Sequence, residues 1–472
     1  MKYAQNFIRT AVVLLLAGCI CICGGPGGAS LLQTDFAYAD ETGVTNMTPE
    51  EVLVAAADPA ALGSIYVYAP TIYALDSRYL VFGNGIGLVV YDVSKEKVSG
   101  LIDMQTLDAI YYNCETMKTH VILQGENDLM IYNTKLVQMQ DNNVDEEERT
   151  DEVKYLDEEP FGTFARFDLS KMKGDGSLLV PAETGNDKAR LTELMEKGAE
   201  YETEHFIDTW DNIAYVSNPE MANSDDYYNS SYSEKAFVHK GKDGKEYRSI
   251  LFAKGMKYDD NGAVAGGDPF EYSLLSESTE GAKDTVYDLK LGITDEMRTR
   301  VKELNKLPAY TYNGDDEAVK TICEALARDD YGWHGERESG SVVLPVPVVF
   351  DKVKKNGELL VFGNFWSETY IRQGNTLIAT SGGEMPACYH LKAEKGGGYT
   401  IVSADIAEDG EGYMESIAKF TEGFPKVYEK FADEEDYDEN VKRDTLRSYC
   451  ETNKLNIKYC KDYGCDPIDL WQ

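Results

Sequence analysis

The sequence predicts a mixed α/β multidomain protein: a β-rich N-terminal domain followed by an α+β C-terminal domain. Three observations predict it. Two hairpin-like segments of one pattern stand in the first third of the chain. One helical stretch followed by a run of short strands fills residues 311–432. A hydrophobic content of 43% is enough to build cores, which sets the chain apart from disordered sequences.

The segments read in order from the N-terminus. Lys2 and Arg9 precede a continuously apolar run, Ala11 to Leu16, which closes on Leu16-Ala17-Gly18-Cys19. A basic start, a short apolar stretch and small residues describe an export signal. The stretch is too short for a helix crossing a hydrocarbon core of ~30 Å. The closing order resembles the lipobox of bacterial lipoproteins, in which a diacylglycerol is attached to the cysteine sulfur and the chain is cut before it. On that reading residues 1–18 are a signal peptide and Cys19 is lipidated. Residues 19–47, rich in glycine from Gly24 to Gly28, then form a flexible tether. Cleavage after Ala37-Tyr38-Ala39 is the alternative and would free the protein by secretion.

Residues 48–310 read as the β-rich domain. Thr48-Pro49-Glu50-Glu51 carries a capping box, with proline in the first turn, and starts a helix. Tyr79–Phe82, Asn84-Gly85 and Leu88–Asp92 form a hairpin signal. The pattern returns 41 residues on, from Leu88 to Leu129, in His120–Leu123 and Leu129–Asn133, with a fainter echo ending at Phe167-Asp168. A period near 40 suggests propeller blades, yet two and a half copies do not close a ring. A propeller-like domain and an irregular β-rich domain with related hairpins both stay open. Asp141 to Glu159 is strongly acidic and reads as an exposed loop. Gly185 to Glu200 has helical spacing. Lys242–Lys245 turns a hairpin between Ala236–His239 and Tyr247–Ala253. Asp259–Asp268 reads as a loop, and Thr294 caps a helix running to about Leu304.

Residues 311–432 read as the α+β domain. Asp315-Asp316 caps a helix through Ala327 with Val319, Ile322 and Leu326 on one face. Strands follow at Val342–Phe350, Leu359–Phe365, Thr376–Ala379, Ala387–Lys392 and Tyr399–Ala404. Pro345 and Pro347 put the first at a sheet edge. A single helix from about Tyr413 to Lys430 closes the unit. One helix plus an antiparallel meander is similar in layout to cystatin or nuclear-transport-factor-2 (NTF2)-like folds, a likeness of arrangement that carries no function. Residues 433–472 form a tail that is acidic, then helical, then cysteine-containing.

Two further resemblances rest on short motifs. Gly87-Leu88-Val89-Val90-Tyr91-Asp92 with Leu101-Ile102-Asp103 resembles the N-terminal module of uncharacterised exported proteins of Firmicutes. Gly363-Asn364-Phe365-Trp366, Leu377 to Gly383, Pro386, Asp409-Gly410 and Ser416 to Lys419 resemble a C-terminal module of similar proteins. That module is also similar to one on the outer side of some penicillin-sensing metallopeptidase receptors. These resemblances imply location and architecture and no activity.

Charge narrows the partners. The chain carries 46 basic and 83 acidic side chains, a net charge of −37, which repels phosphate backbones and anionic head groups alike. Nucleic acid is not an expected partner. The membrane is expected only through a lipid anchor, and a peptide, a glycan or a cationic ligand suits the acidic surface. Of nine cysteines, Cys114, Cys323, Cys388, Cys450, Cys460 and Cys465 lie beyond the leader. The last three are the best candidates for a local disulfide, and no zinc or redox spacing is present.

No catalytic set emerges. Ser416-x-x-Lys419 has the serine–lysine spacing of penicillin-recognising enzymes, but the same spacing recurs at Ser94/Lys97 and Ser170/Lys173, and no Lys-Thr-Gly follows. His120, His205, His239, His334 and His390 are scattered and lack metal spacing, so neither metal nor cofactor is expected. Aromatic residues cluster at Trp210, Tyr227, Tyr228 and Tyr232, and again at Phe365, Trp366 and Tyr370. The second group is the candidate binding set. The expectation is an extracytoplasmic lipid-anchored protein with a non-catalytic binding or sensing role. A secreted hydrolase of cell-wall or glycan material and a structural envelope spacer are the alternatives.

Overall fold

The structure is a computed structural model and describes residues 47–57, 70–107, 117–138, 155–208, 235–241, 243–253, 257–258, 264–266, 271–278, 285–330, 339–432, 439–462, 465 and 467–471. The leader with Cys19, the Trp210/Tyr227/Tyr228/Tyr232 cluster, Cys114 and His334 lie outside them.

The capping box forms as its residues dictate. The Thr48 N–H donates to Glu51 Oε2 at 2.8 Å, and the Thr48 hydroxyl oxygen accepts from the Glu51 N–H at 3.2 Å. Helix α1 (Pro49–Ala57) follows. Strands β1 (Thr71–Leu75), β2 (Tyr79–Gly83), β3 (Gly87–Asp92) and β4 (Lys97–Asp103) pair in sequence order into an antiparallel sheet. Alternation assigns its two faces. Leu80, Phe82, Val89 and Tyr91 pack with Val52 and Ala56 of α1. Val81, Leu88, Val90 and Ile102 pack against a second sheet.

That second sheet is β5 (Met117–Gln124), β6 (Asp128–Gln138), β7 (Tyr155–Asp168) and β8 (Glu183–Gly185), again in order. Val121, Leu129, Ile131 and Phe167 face the first sheet. Ile122, Met130, Tyr132 and Phe164 face Leu191 and Leu194 of helix α2 (Lys188–His205). The 155–159 end of the predicted acidic loop is thus part of strand β7. The repeated hairpin also lands unevenly. It is β2–β3, the centre of the first sheet, but β5–β6, the start of the second.

A third sheet collects β9 (Phe206–Asp208), β10 (Lys235–Lys240), β11 (Glu246–Ala253), β14 (Tyr272–Ser278) and β15 (Thr285–Asp288) in the order β15-β14-β11-β10-β9. Between β11 and β14 stands a small pair, β12 (Lys257–Tyr258) with β13 (Val264–Gly266), where the sequence suggested only a loop. Phe237, Leu251, Tyr272 and Leu274 join the α1 core. Helix α3 (Asp295–Leu304) begins as predicted, with the Thr294 hydroxyl oxygen accepting from the Met297 N–H at 3.2 Å.

The C-terminal part is built on one long strand. Helix α4 (Glu317–Arg328) is capped by Asp316, which accepts from Ala318 N–H at 3.0 Å and Val319 N–H at 3.1 Å. Strands β16 (Val342–Lys355) and β17 (Glu358–Gln373) form an extended hairpin. β18 (Thr376–Gly383) and β19 (Pro386–Ala393) share the other edge of β17, β18 beside residues 367–373 and β19 beside residues 359–364; β20 (Tyr399–Ile406) pairs with β19. The strands therefore depart from a simple meander, because β18 and β19 never pair with each other in the sheet order. Ala318, Ile322 and Leu326 of α4 pack on Val361, Phe365 and Tyr389. Each such fully buried Ile or Leu contributes about 1.5–3 kcal/mol. β16 pairs only with β17, which suits Pro345 and Pro347.

The expected closing helix is two helices, α5 (Tyr413–Phe420) and α6 (Pro425–Ala432). Gly423 at φ +89° and Pro425 break the run. Helix α7 (Glu439–Asn453), β21 (Tyr459–Lys461) and β22 (Ile468–Asp469) follow, and β21 joins β18 in parallel. The tail thereby completes a seven-stranded sheet. The N- and C-terminal parts share packing: Ile378 of β18 lies in the α1 core, and Met117 of β5 packs with Tyr459 of β21. The whole is mixed α/β with several open sheets, none of them closed. Among the described residues no helix is long and apolar enough to cross a membrane.

Candidate functional site

The three aromatics singled out by the sequence all lie on β17 and are all buried. They do not line one surface. Phe365 packs with α4 residues and meets Tyr389 edge-on at 4.9 Å between ring centroids. Tyr370 belongs to a different core, with Leu446 and Cys450 of α7 and Cys460 of β21. Trp366 is 7% exposed. Five positions, an odd step along the strand, separate Phe365 from Tyr370, so they point to opposite faces of the sheet and enter separate clusters. Phe365 and Tyr370 thus stand in two separate cores, and Trp366 is buried between them in sequence.

Beneath Tyr370 stands a buried charge cluster that sequence reasoning missed. Lys442 of α7, 2% exposed, places Nζ 2.8 Å from Glu368 Oε2 and 2.7 Å from Asp462 Oδ2. The Tyr370 hydroxyl donates to Glu368. Burial pushes the Glu368 carboxyl up against the pull of Lys442, and Asp462 pushes it further in the same direction. Burial likewise drives the Tyr370 hydroxyl well above its ordinary range. A buried cation between two carboxylates, Glu368 largely buried and Asp462 partly exposed, ties β17, α7 and the segment after β21 together. A signal was present: Lys442, Leu446 and Tyr449 follow helical spacing, which puts a lysine on the apolar stripe of α7.

The second polar cluster surrounds His120 on β5, itself 7% exposed. Nδ1 lies 2.5 Å from Glu202 Oε1 of α2, and Nε2 lies 2.8 Å from Thr134 Oγ1 of β6. The Thr134 hydroxyl donates to Glu158 Oε2 of β7 at 3.1 Å. The ring stacks on Tyr132 at 4.8 Å, only 9° from parallel. Carboxylate, imidazole and hydroxyl in line resemble a nucleophilic triad in outline. The proton directions oppose that use. A carboxylate only accepts, so Nδ1 must donate; Thr134 gives its proton to Glu158, so its oxygen accepts from Nε2. Both ring nitrogens carry protons, and an imidazolium is not a general base. Thr134 is also 0% exposed. Burial opposes the charge on His120, but Glu158 and Glu202 outweigh it and raise its pKa. The bond to His120, helped by Lys118, holds the Glu158 carboxyl down at about 2.

The remaining expectations resolve as local structure. Ser416 Oγ donates to the Tyr413 carbonyl at 2.7 Å and accepts from the Glu408 N–H at 2.9 Å, so the hydroxyl serves the backbone at the start of α5. His390 sits between Glu358 at 3.2 Å and Asp405 at 2.9 Å. Among the described residues no group of His, Cys, Asp or Glu side chains is placed to hold a metal ion. The local disulfide expected among Cys450, Cys460 and Cys465 is not formed. Cys450 and Cys460 are small apolar fillers of one core instead, and burial pushes the Cys450 thiol up to about 12.

Comparison with known proteins adds no assignment: no protein-family model and no curated protein matches this chain.

Proposed function

We propose that this chain is exported, is held at the outer face of the cell membrane by a lipid on Cys19, and serves there as a non-catalytic binding or sensing protein. The observation that carries this reading is the order Leu16-Ala17-Gly18-Cys19 at the end of a short apolar run behind Lys2 and Arg9. Two acyl chains on one cysteine supply stable anchorage without a spanning helix. The net charge of −37 keeps the body away from anionic head groups and favours a cationic peptide as ligand.

The interior supports the non-catalytic side of the proposal. The arrangement closest to a catalytic triad spends its protons on holding elements together. The serine of the Ser-x-x-Lys motif is engaged with backbone groups. A hydrolase would draw instead on carboxylates at the surface.

Finer architecture belongs to the same proposal. Helix α4 lying across β17 and β19 supports a cystatin- or NTF2-like layout for the C-terminal part, modified by the shared edge of β17. Face-to-face packing of two four-stranded meanders is what a propeller-like N-terminal part rests on. The uneven placement of the repeated hairpin favours the irregular β-rich reading.

Growth of a bacterial host with a labelled fatty acid tests the anchor. The account expects label on the wild-type protein and none on Cys19→Ala. Equal labelling of both, or of neither, would overturn it.

A further inference from the structure

Helix α2 touches all three N-terminal sheets. Leu191 and Leu194 pack on the second sheet. The Tyr201 hydroxyl donates to the Tyr73 carbonyl of the first at 2.8 Å. His205 Nδ1 meets the Val238 carbonyl of the third at 2.7 Å, and its ring stacks on Phe237 at 5.0 Å. A further attachment is an ion pair: His120 of the second sheet faces Glu202 of the helix at 2.5 Å.

We propose that His120 is a proton-operated clamp, closed when its ring is charged, that fixes helix α2 on the second sheet. Glu202 Oε1 takes its bond from Nδ1 at 2.5 Å, and that bond joins two charged groups only while both ring nitrogens are protonated. Loss of one proton leaves Glu202 with a neutral donor at most, a weaker partner than the charged ring. The groups facing the ring from each neighbouring element are few: Glu202 from α2, Glu158 from β7, and Tyr132 and Thr134 from β6. Lys118 on its own strand is bound to Glu158. Lys235 of β10 acts on Glu202 from beyond it. Acting directly on the ring, Glu158 and Glu202 outweigh burial and favour its charged form.

The sign follows. A histidine whose folded-state pKa is raised gives its full stabilisation below the unfolded value of 6.5 and loses it as pH rises through the folded value. The clamp therefore opens on alkalinisation. Acid opens it only when Glu202, the carboxylate on the helix, is protonated; burial pushes that carboxyl up, but the bond to His120 holds it below its ordinary range.

Hydrogen exchange on the full chain, with His120 followed by NMR, tests the clamp. Amides of α2 are compared with those of α4 in the same sample, which cancels the intrinsic pH dependence of exchange. The expected result is titration of His120 above 6.5 and a fall of about tenfold in α2 protection relative to α4 across that titration. Glu202→Gln should move the titration downward and lower α2 protection already at neutral pH. A His120 that titrates at or below 6.5, or an α2-to-α4 ratio unchanged across its titration, would overturn the proposal. The wild-type measurement decides this even if the variant fails to fold.

Discussion

Gln105 and Asn375, 270 positions apart, are joined by a hydrogen bond in which the Asn375 N–H donates to Gln105 Oε1 at 3.1 Å. The same amide returns the gesture, with Nε2 donating to the Gln373 carbonyl at 2.8 Å. One buried side chain at the end of the first sheet thus satisfies two backbone groups of the β17–β18 turn. Asn305 adds to this fastening, its Oδ1 accepting from the Gly374 N–H at 3.4 Å. Gln105→Ala leaves the buried Asn375 N–H without this acceptor. We expect a loss of about 1–3 kcal/mol by denaturant unfolding, with increased exchange at residues 373–376.

Gly198 is required by Tyr132. A Cβ at position 198 would stand 1.6 Å from the Tyr132 hydroxyl oxygen. Alanine is otherwise the better helix former by about 1 kcal/mol. Gly198→Ala should nonetheless destabilise, by about 1–3 kcal/mol. Tyr132→Phe in the same chain should recover part of the loss, because the ring carbon remains only 2.8 Å away. A thermal-melt comparison of the two single variants and the double variant measures this.

Lys442 should be irreplaceable singly. Lys442→Met leaves the largely buried Glu368 carboxylate beside Asp462 with no cation between them, and removing one partner of a buried ion group costs about 3–5 kcal/mol. Neutralising all three, as Lys442→Met with Glu368→Gln and Asp462→Asn, should cost less than the single change. Chemical denaturation of both variants checks the order.

Asp92 gives an acid-side prediction. It is 1% exposed, and its carboxylate takes bonds from the Ser94 hydroxyl, the Lys95 N–H and Lys95 Nζ. Burial raises its pKa, but these donors win and bring it to about 2 from 3.8. A depressed carboxylate stabilises above its unfolded value and loses that contribution as pH falls through the folded one. Wild-type stability should drop between about pH 4 and 2 more steeply than that of Asp92→Asn, as pH-dependent melts would show.

Much of the fold was legible because its signals are local. Caps at Thr48, Thr294 and Asp316 and the Asn84 turn need only neighbouring residues, and each stands where the sequence puts it. The β17 strand ran past its predicted end at Phe365 because Trp366 to Gln373 is held by partners on both sides. Those partners, β16 and β18, are tertiary facts. The cluster around His120 was illegible for the same reason. His120, Thr134, Glu158 and Glu202 become neighbours only when three strands and a helix assemble. Phe365 and Tyr370 go to different cores because sequence proximity on a strand does not imply a shared face.

The intact mass of the protein recovered from membranes of a bacterial host tests the central claim most directly. The account predicts a chain beginning at Cys19 and carrying added diacylglycerol mass. A full-length chain from Met1 recovered from the cytosol, with no lipid added, would contradict it.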